Sequence, residues 1–191
     1  MPSQVETACS SRLACVARMS TMALVLALAW PAVPSAAGTP GEVAVGQELR
    51  DALMQGLNGK PRRLSDYRGQ PLIINVWASW CGPCRAEMAS LERLAWAESA
   101  ARFTIIGIST DDYPQAAQAW LKASNATLSH FIDSRLELEN LLGAKQIPLT
   151  VLVDAQGRVV AKVYGAKTWD SPESLRLIER AFKPPGKPAP R

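Results

Sequence analysis

Histidine is almost missing from this chain: in 191 residues only His130 is present. A zinc centre needs about four nitrogen or sulfur ligands, so a metal site is not what organises the sequence. No glycine-rich phosphate loop occurs, and the carboxylates are scattered without a paired-acid pattern, which leaves no basis for nucleotide binding or paired-carboxylate catalysis. The formal net charge of +4 comes from basic residues spread along the chain rather than gathered in a block, so there is no nucleic-acid footprint. Internal repeats are lacking too. Nothing in the composition marks a fibrous, disulfide-stapled or disordered protein, and the length predicts one globular domain with an additional segment.

That segment is at the start. Residues 19–37 carry no charge, Ala23 to Trp30 form a short apolar run, and Arg12 and Arg18 precede it, which is the layout of a secretory signal. Ser35, Ala36 and Ala37 supply small residues for cleavage before Gly38. An uncleaved anchor is the competing reading, because the uncharged stretch is near the lower limit for spanning a bilayer; Pro31 and Pro34 count against it. The polar stretch before Arg18 is long, so Met19 and Met22 are alternative starts. Cys15 precedes the apolar run instead of following it, which argues against a lipoprotein anchor. Residues 1–37 are therefore read as signal peptide or membrane anchor, and the protein as periplasmic or extracytoplasmic. Cys9 and Cys15 leave with the signal, and the mature chain keeps Cys81 and Cys84.

Residues 38–60 read as an N-terminal arm, loosely held at first. Residues 61–183 form the folded domain, and the proline-rich residues 184–191 a disordered tail. In the domain, Arg62 to Leu64 suggests a short strand before a turn. Pro71 to Trp77 is a nearly continuous apolar, β-branched run, as expected of a central strand covered on both faces. From Cys84 the period becomes helical, with Met88, Leu91, Leu94 and Ala95 on one face. A second strand follows at Phe103 to Ile108, a helix at Pro114 to Ala123 and a strand near Leu128 to Ile132. Ser134 and Glu137 have capping-box spacing for a helix starting there. Pro148 to Val153 and Arg158 to Tyr164 flank a turn and predict a hairpin, and Ser171-Pro172-Glu173 opens a last helix. The alternation predicts an α/β sandwich with a mixed sheet.

The chemistry concentrates at Trp80-Cys81-Gly82-Pro83-Cys84. A thiol attacks only as its thiolate, and its ordinary pKa of about 8.5 falls at a helix N-terminus, where backbone N–H groups and the helix dipole favour the anion. The strand-to-helix junction puts Cys81 there, and Cys84 one turn on can resolve a mixed disulfide formed by Cys81. Gly82 permits the tight turn and Pro83 suits an early helical position. Trp77 and Trp80 flank the pair, limiting water or offering an apolar surface to an extended partner; core packing is the plainer role for each. A structural bridge across so small a loop would add little stability. His130, in the middle of a strand, reads as structural.

This motif at the end of an apolar strand resembles the active site of the thioredoxin superfamily. The resemblance runs from about Leu64 to Phe182 and includes Ile147-Pro148, matching that family's cis-proline facing the dithiol, and Gly165. It implies a thioredoxin-like three-layer sandwich with a mixed central sheet, flanking helices and a central αβ insertion at Pro114 to Ile132. Within the superfamily the chain is similar to the TlpA/ResA (DsbE-like) branch of exported reductases associated with cytochrome c maturation. The export signal, the insertion and Glu87 carry that likeness. By resemblance, Cys81 and Cys84 form the redox-active disulfide, Glu87 handles a proton beside Cys84, and Trp80, Gly82, Pro83, Ile147 and Pro148 face the substrate.

Asn75 stands where cytosolic thioredoxins carry a buried aspartate, which moves the proton-transfer burden onto Glu87. Leu149 replaces the usual threonine after the proline and questions how closely the partner groove follows the family. The resemblance implies a monomeric protein-disulfide reductase without cofactor, acting on exported substrates such as apocytochrome c and recharged by a membrane-embedded electron donor. A broader disulfide oxidant or isomerase is the alternative, and a Cu(I) metallochaperone is an alternative of another class. A thiol peroxidase fits least, because Ala78 occupies the position of the expected threonine or serine.

Overall fold

A computed structural model describes residues 41–97 and 102–183. The expected signal or anchor at 1–37 and the tail at 184–191 lie outside the described residues. The elements run β1 (Leu53–Gly56), β2 (Arg62–Arg63), a 3₁₀ turn (Leu64–Tyr67), β3 (Leu72–Trp77), α1 (Gly82–Trp96), β4 (Thr104–Ser109), α2 (Pro114–Ala123), β5 (Ser129–Ile132), α3 (Glu137–Leu142), β6 (Leu149–Val153), β7 (Val159–Tyr164) and α4 (Pro172–Phe182). Among the described residues the strands form one seven-stranded sheet in the order β2-β1-β5-β4-β3-β6-β7. β3 pairs parallel to β4 and β4 to β5, while the remaining pairs are antiparallel.

The two-residue period of the strands sorts the core into two layers. Leu72, Ile74 and Val76 of β3 pack with Ile106, Ile108, Leu149 and Val151 against Leu138, Leu141 and Leu142 of α3. On the opposite face Ile73 and Trp77 meet Cys84, Met88, Leu91 and Leu94 of α1, Leu121 of α2 and Ile178 of α4. β3 is buried along its whole length, as its nearly continuous apolar run, interrupted only by Asn75, requires when helices cover both faces. The result is a three-layer α/β sandwich with a mixed sheet. α2 and β5 are the inserted pair: β5 lies parallel to β4 and carries β1 on its other side.

Three local expectations change. The arm does not stay loose over residues 41–60. Val43 and Leu49 are buried, the Val43 N–H donates to Leu141 O at 2.9 Å, and β1 extends the sheet. Only Met54 of β1 is buried among apolar neighbours, so a strand that short leaves almost no alternation to read. The capping box at Ser134 is not formed: α3 begins at Glu137, after Leu136 in the left-handed region at φ 57°. Asp133 caps it instead, its carboxylate accepting from the N–H groups of Glu137 (3.0 Å) and Glu139 (2.7 Å), which satisfies donors that a helix start leaves unpaired. Leu149 turns into the core on the α3 side of the sheet, away from the layer containing the cysteines, so its replacement of threonine is absorbed by packing.

Candidate active site

β3 delivers the chain to a turn that α1 then closes. Cys81 is the N-cap of α1, with extended backbone (φ −81°, ψ 103°), and Pro83 sits in the first turn. The Cys84 N–H donates to Cys81 Sγ at 3.2 Å, an orphan donor at a helix start turned on the sulfur. Cys81 and Cys84 are joined by a disulfide with 5.3 Å between their Cα atoms. Of the pair Cys81 retains 5 % exposure and Cys84 none, so the outer sulfur is the one within reach of a partner. Gly82 and Pro83 are exposed beside it.

The turn is held by a residue that sequence reasoning missed. Asp111, buried just past β4, accepts from the Ser79 N–H (2.9 Å), the Ser79 hydroxyl (2.6 Å) and the Ser109 hydroxyl (2.7 Å). Ser79 is the residue before Trp80, so this carboxylate fixes the approach to the dithiol. No local pattern announces its role, because the partner that ties it to the dithiol turn, Ser79, lies in the loop after a different strand.

Trp80 is 70 % exposed and keeps the expected surface position. Trp77 does not: it is fully buried, with its ring 5.1 Å from Trp120 and 5.4 Å from His130, so it is core and the apolar surface beside the cysteines rests on Trp80. His130 is structural, as expected. Burial alone drives its pKa down to about 4, and neither ring nitrogen has a partner.

Ile147-Pro148 is a cis peptide. Leu149 pairs with Val76, so Pro148 adjoins the end of β3 from which the dithiol turn departs. Ile147 packs half-buried against both core layers.

Glu87 lies one turn below Cys84 and is 2 % exposed. Oε1 accepts from Asn75 Nδ2 at 2.7 Å, and Oε2 from the Lys167 N–H (3.0 Å) and Trp169 Nε1 (3.1 Å). Burial raises its pKa above the ordinary carboxyl range, against the pull of these three donors. Asn75 Nδ2 also donates to Thr150 Oγ1 at 3.1 Å, while its Oδ1 is buried without a partner. Trp169, like Asp111, was invisible from the sequence: it is 82 residues from Glu87. Among the described residues no cluster of histidine, cysteine or carboxylate side chains is arranged to hold a metal. No helix among them is long and apolar enough to cross a membrane.

A cysteine pair at the N-terminus of the first major helix, beside a cis-proline and above a buried acid, on a mixed sheet with helices on both faces, defines a thiol-disulfide oxidoreductase of thioredoxin-like fold. Comparison with known proteins agrees. Residues 45–162 match the AhpC/TSA family, and the chain belongs to that family. It is 28% identical over 142 residues to the thiol-disulfide oxidoreductase ResA of Geobacillus thermodenitrificans, covering 74% of this chain and 80% of the relative. A crystal structure from Chlorobium tepidum, provisionally described as the thiol:disulfide interchange protein DsbE, superposes with a TM-score of 0.67 at 25% identity, over 73% of this chain and 99% of the other. The thioredoxin domain of a thiol-disulfide oxidoreductase from Bacteroides vulgatus gives 0.61 at 22% identity, over 73% and 98%, and attests the fold.

Proposed function

We propose that this protein is a reductant of disulfides in exported proteins, working outside the cytoplasm as a monomer, with the haem-binding cysteine pair of an apocytochrome c as the kind of substrate it serves. The Cys81 thiolate attacks a partner disulfide, forming a mixed disulfide and releasing one partner sulfur as thiolate. Cys84, its proton passed to Glu87, then attacks Cys81 Sγ, which expels the second partner sulfur and leaves the Cys81–Cys84 disulfide. Two electrons have moved to the partner, and a membrane-embedded dithiol donor returns the pair to its reduced form.

The observation that carries this reading is the asymmetry of the pair: an outer sulfur at a helix N-terminus, and an inner sulfur sealed above a buried carboxyl. Exposed Trp80, Gly82 and Pro83 would offer an extended partner its seat, with half-buried Ile147 and buried Pro148 forming the wall behind it. The likeness to ResA, named a thiol-disulfide oxidoreductase, supports the reaction class. The N-terminal signal pattern supports export.

The test is a mixed-disulfide trap with Cys84→Ser, joined to the reduction potential of the mature chain. Capture of apocytochrome c and a potential near or below about −220 mV support the reductant, whereas a potential near about −120 mV marks the oxidant or isomerase. Recovery of unrelated secreted proteins alone would remove the cytochrome assignment.

A further inference from the structure

α1 presents three polar side chains one turn apart, Glu87, Ser90 and Arg93, and all three grip the same loop between β7 and α4. Glu87 Oε2 takes the Lys167 N–H and the Trp169 indole N–H. Ser90 Oγ accepts from the Trp169 backbone N–H at 2.9 Å and donates to Glu87 O at 2.6 Å. Arg93 closes on Asp170 through two contacts of 2.6 and 3.2 Å. The loop begins at Gly165, whose N–H donates to Pro148 O at 2.9 Å. One segment therefore runs from the cis-proline to the underside of the acid, and Trp169 is its fully buried anchor.

We infer that Trp169 is a positioning residue for Glu87: with the Lys167 amide it fixes Oε2 and directs the proton taken from Cys84 onto Oε1. The inference rests on the reading that Glu87 serves Cys84.

An indole N–H and a backbone N–H can only donate. With both aimed at Oε2, that oxygen is held as an acceptor, and the added proton goes to the other one. There it meets Asn75. The amide now gives Nδ2 to Oε1 and leaves Oδ1 unpartnered in the interior, so turning it over supplies the acceptor that a protonated Oε1 needs. Removing the indole donor withdraws a hydrogen bond that favours the charged form of the acid. The ionised acid is then less favoured.

The experiment uses the full chain with ¹⁵N-labelled tryptophan. In the oxidised protein neither active-site cysteine titrates, so the Trp169 indole resonance should move with pH at one midpoint above the ordinary glutamate value. Glu87→Gln should abolish that movement while the resonance stays dispersed. In the reduced protein, the acid limb of mixed-disulfide resolution should move up by about one pH unit in Trp169→Phe, a tenfold change in proton affinity, and be absent in Glu87→Gln. A loss of stability alone would not move that midpoint.

If Glu87→Gln keeps the wild-type limb, the Glu87 reading itself falls. If it loses the limb while the Trp169 resonance is independent of pH, the positioning inference falls and the Glu87 reading stands. Should Trp169→Phe not fold, the resonance of the unaltered protein decides.

Discussion

Asn75 Nδ2 lies 2.7 Å from Glu87 Oε1, joining the central strand to the first turns of the dithiol helix. An aspartate at position 75 would set two buried carboxyls against each other, whereas asparagine donates to the one that is there. The amide and the acid therefore work as one unit, with Thr150 of the neighbouring strand as its third member.

Stability should report the state of Glu87 directly. Burial raises its folded-state pKa above the ordinary 4.5. The folded protein thus keeps this proton to higher pH than the unfolded chain, and stability falls as pH rises from about 4.5 through the folded value, then levels off. Glu87→Gln removes that loss, worth about 1.4 kcal/mol for every tenfold difference in proton affinity between the folded and unfolded chains. Urea midpoints of the oxidised forms at a series of pH values should show wild type losing ground to the variant across this window. Parallel curves would refute a buried ionising acid at this position.

Much of this architecture was legible because its determinants are local. β3 announces itself by a nearly continuous apolar run rich in β-branched residues, α2 and α4 by a proline in the first turn, and the cysteines by two-residue spacing at a strand's end. What escaped depends on distant partners. β1 exists because β5 and β2 flank it, and the cap of α3 comes from Asp133 at the end of β5 rather than from the serine that follows it. Asp111 and Trp169 act on the site through bonds spanning 32 and 82 residues. Glu87 is legible through resemblance, whereas its burial and its donors depend on residues far away in the chain.

Asp111 should matter to the dithiol without touching it. Its two oxygens receive three donors from Ser79 and Ser109, and an amide offers only one accepting oxygen. Asp111→Asn should therefore keep at most two of these bonds, its NH₂ group turned on a serine hydroxyl that must reverse to accept, at a cost of about 1–3 kcal/mol. Loosening of the Ser79–Trp80 turn should slow attack by Cys81 several-fold. Urea denaturation and stopped-flow reaction with a small disulfide check both effects. Asp112→Asn, at an exposed neighbour, is the control and should change neither.

His130 should dominate the acid side of the stability curve. Its pKa is lowered to about 4 by burial, so the folded state holds it neutral while the unfolded chain protonates near 6.5. The stability it contributes is complete above about pH 6.5 and is lost as pH falls towards 4, a change of about 3 kcal/mol. His130→Met should flatten the difference curve in that window. Gly107 is the matching partner across the sheet: a Cβ there would come within 2.1 Å of His130 Nδ1. Gly107→Ala should cost about 1–3 kcal/mol by overpacking, and much less in a His130→Ala background.

The N-terminal arm should brace the loop that carries the cis-proline. Glu42 pairs with Lys162 of β7 at 2.6 Å, with side-chain exposures of only 15% and 8%. The Glu42 side chain also fills the space above Gly143, where an added Cβ would lie 2.2 Å from its carboxyl carbon. Tyr164 donates its hydroxyl to Gly143 O at 3.0 Å from the other strand end, and Gly143, at φ 74°, begins the stretch leading to Ile147-Pro148. Breaking one side of such a pair strands a poorly hydrated charge, so Glu42→Gln should cost about 2–4 kcal/mol, and Lys162→Met in the same variant should restore part of it. Amide hydrogen exchange over residues 143–147 should quicken in Glu42→Gln before the chain unfolds globally. Unchanged exchange there, with stability lost everywhere equally, would mean that the arm only adds to the core and does not brace the active-site edge.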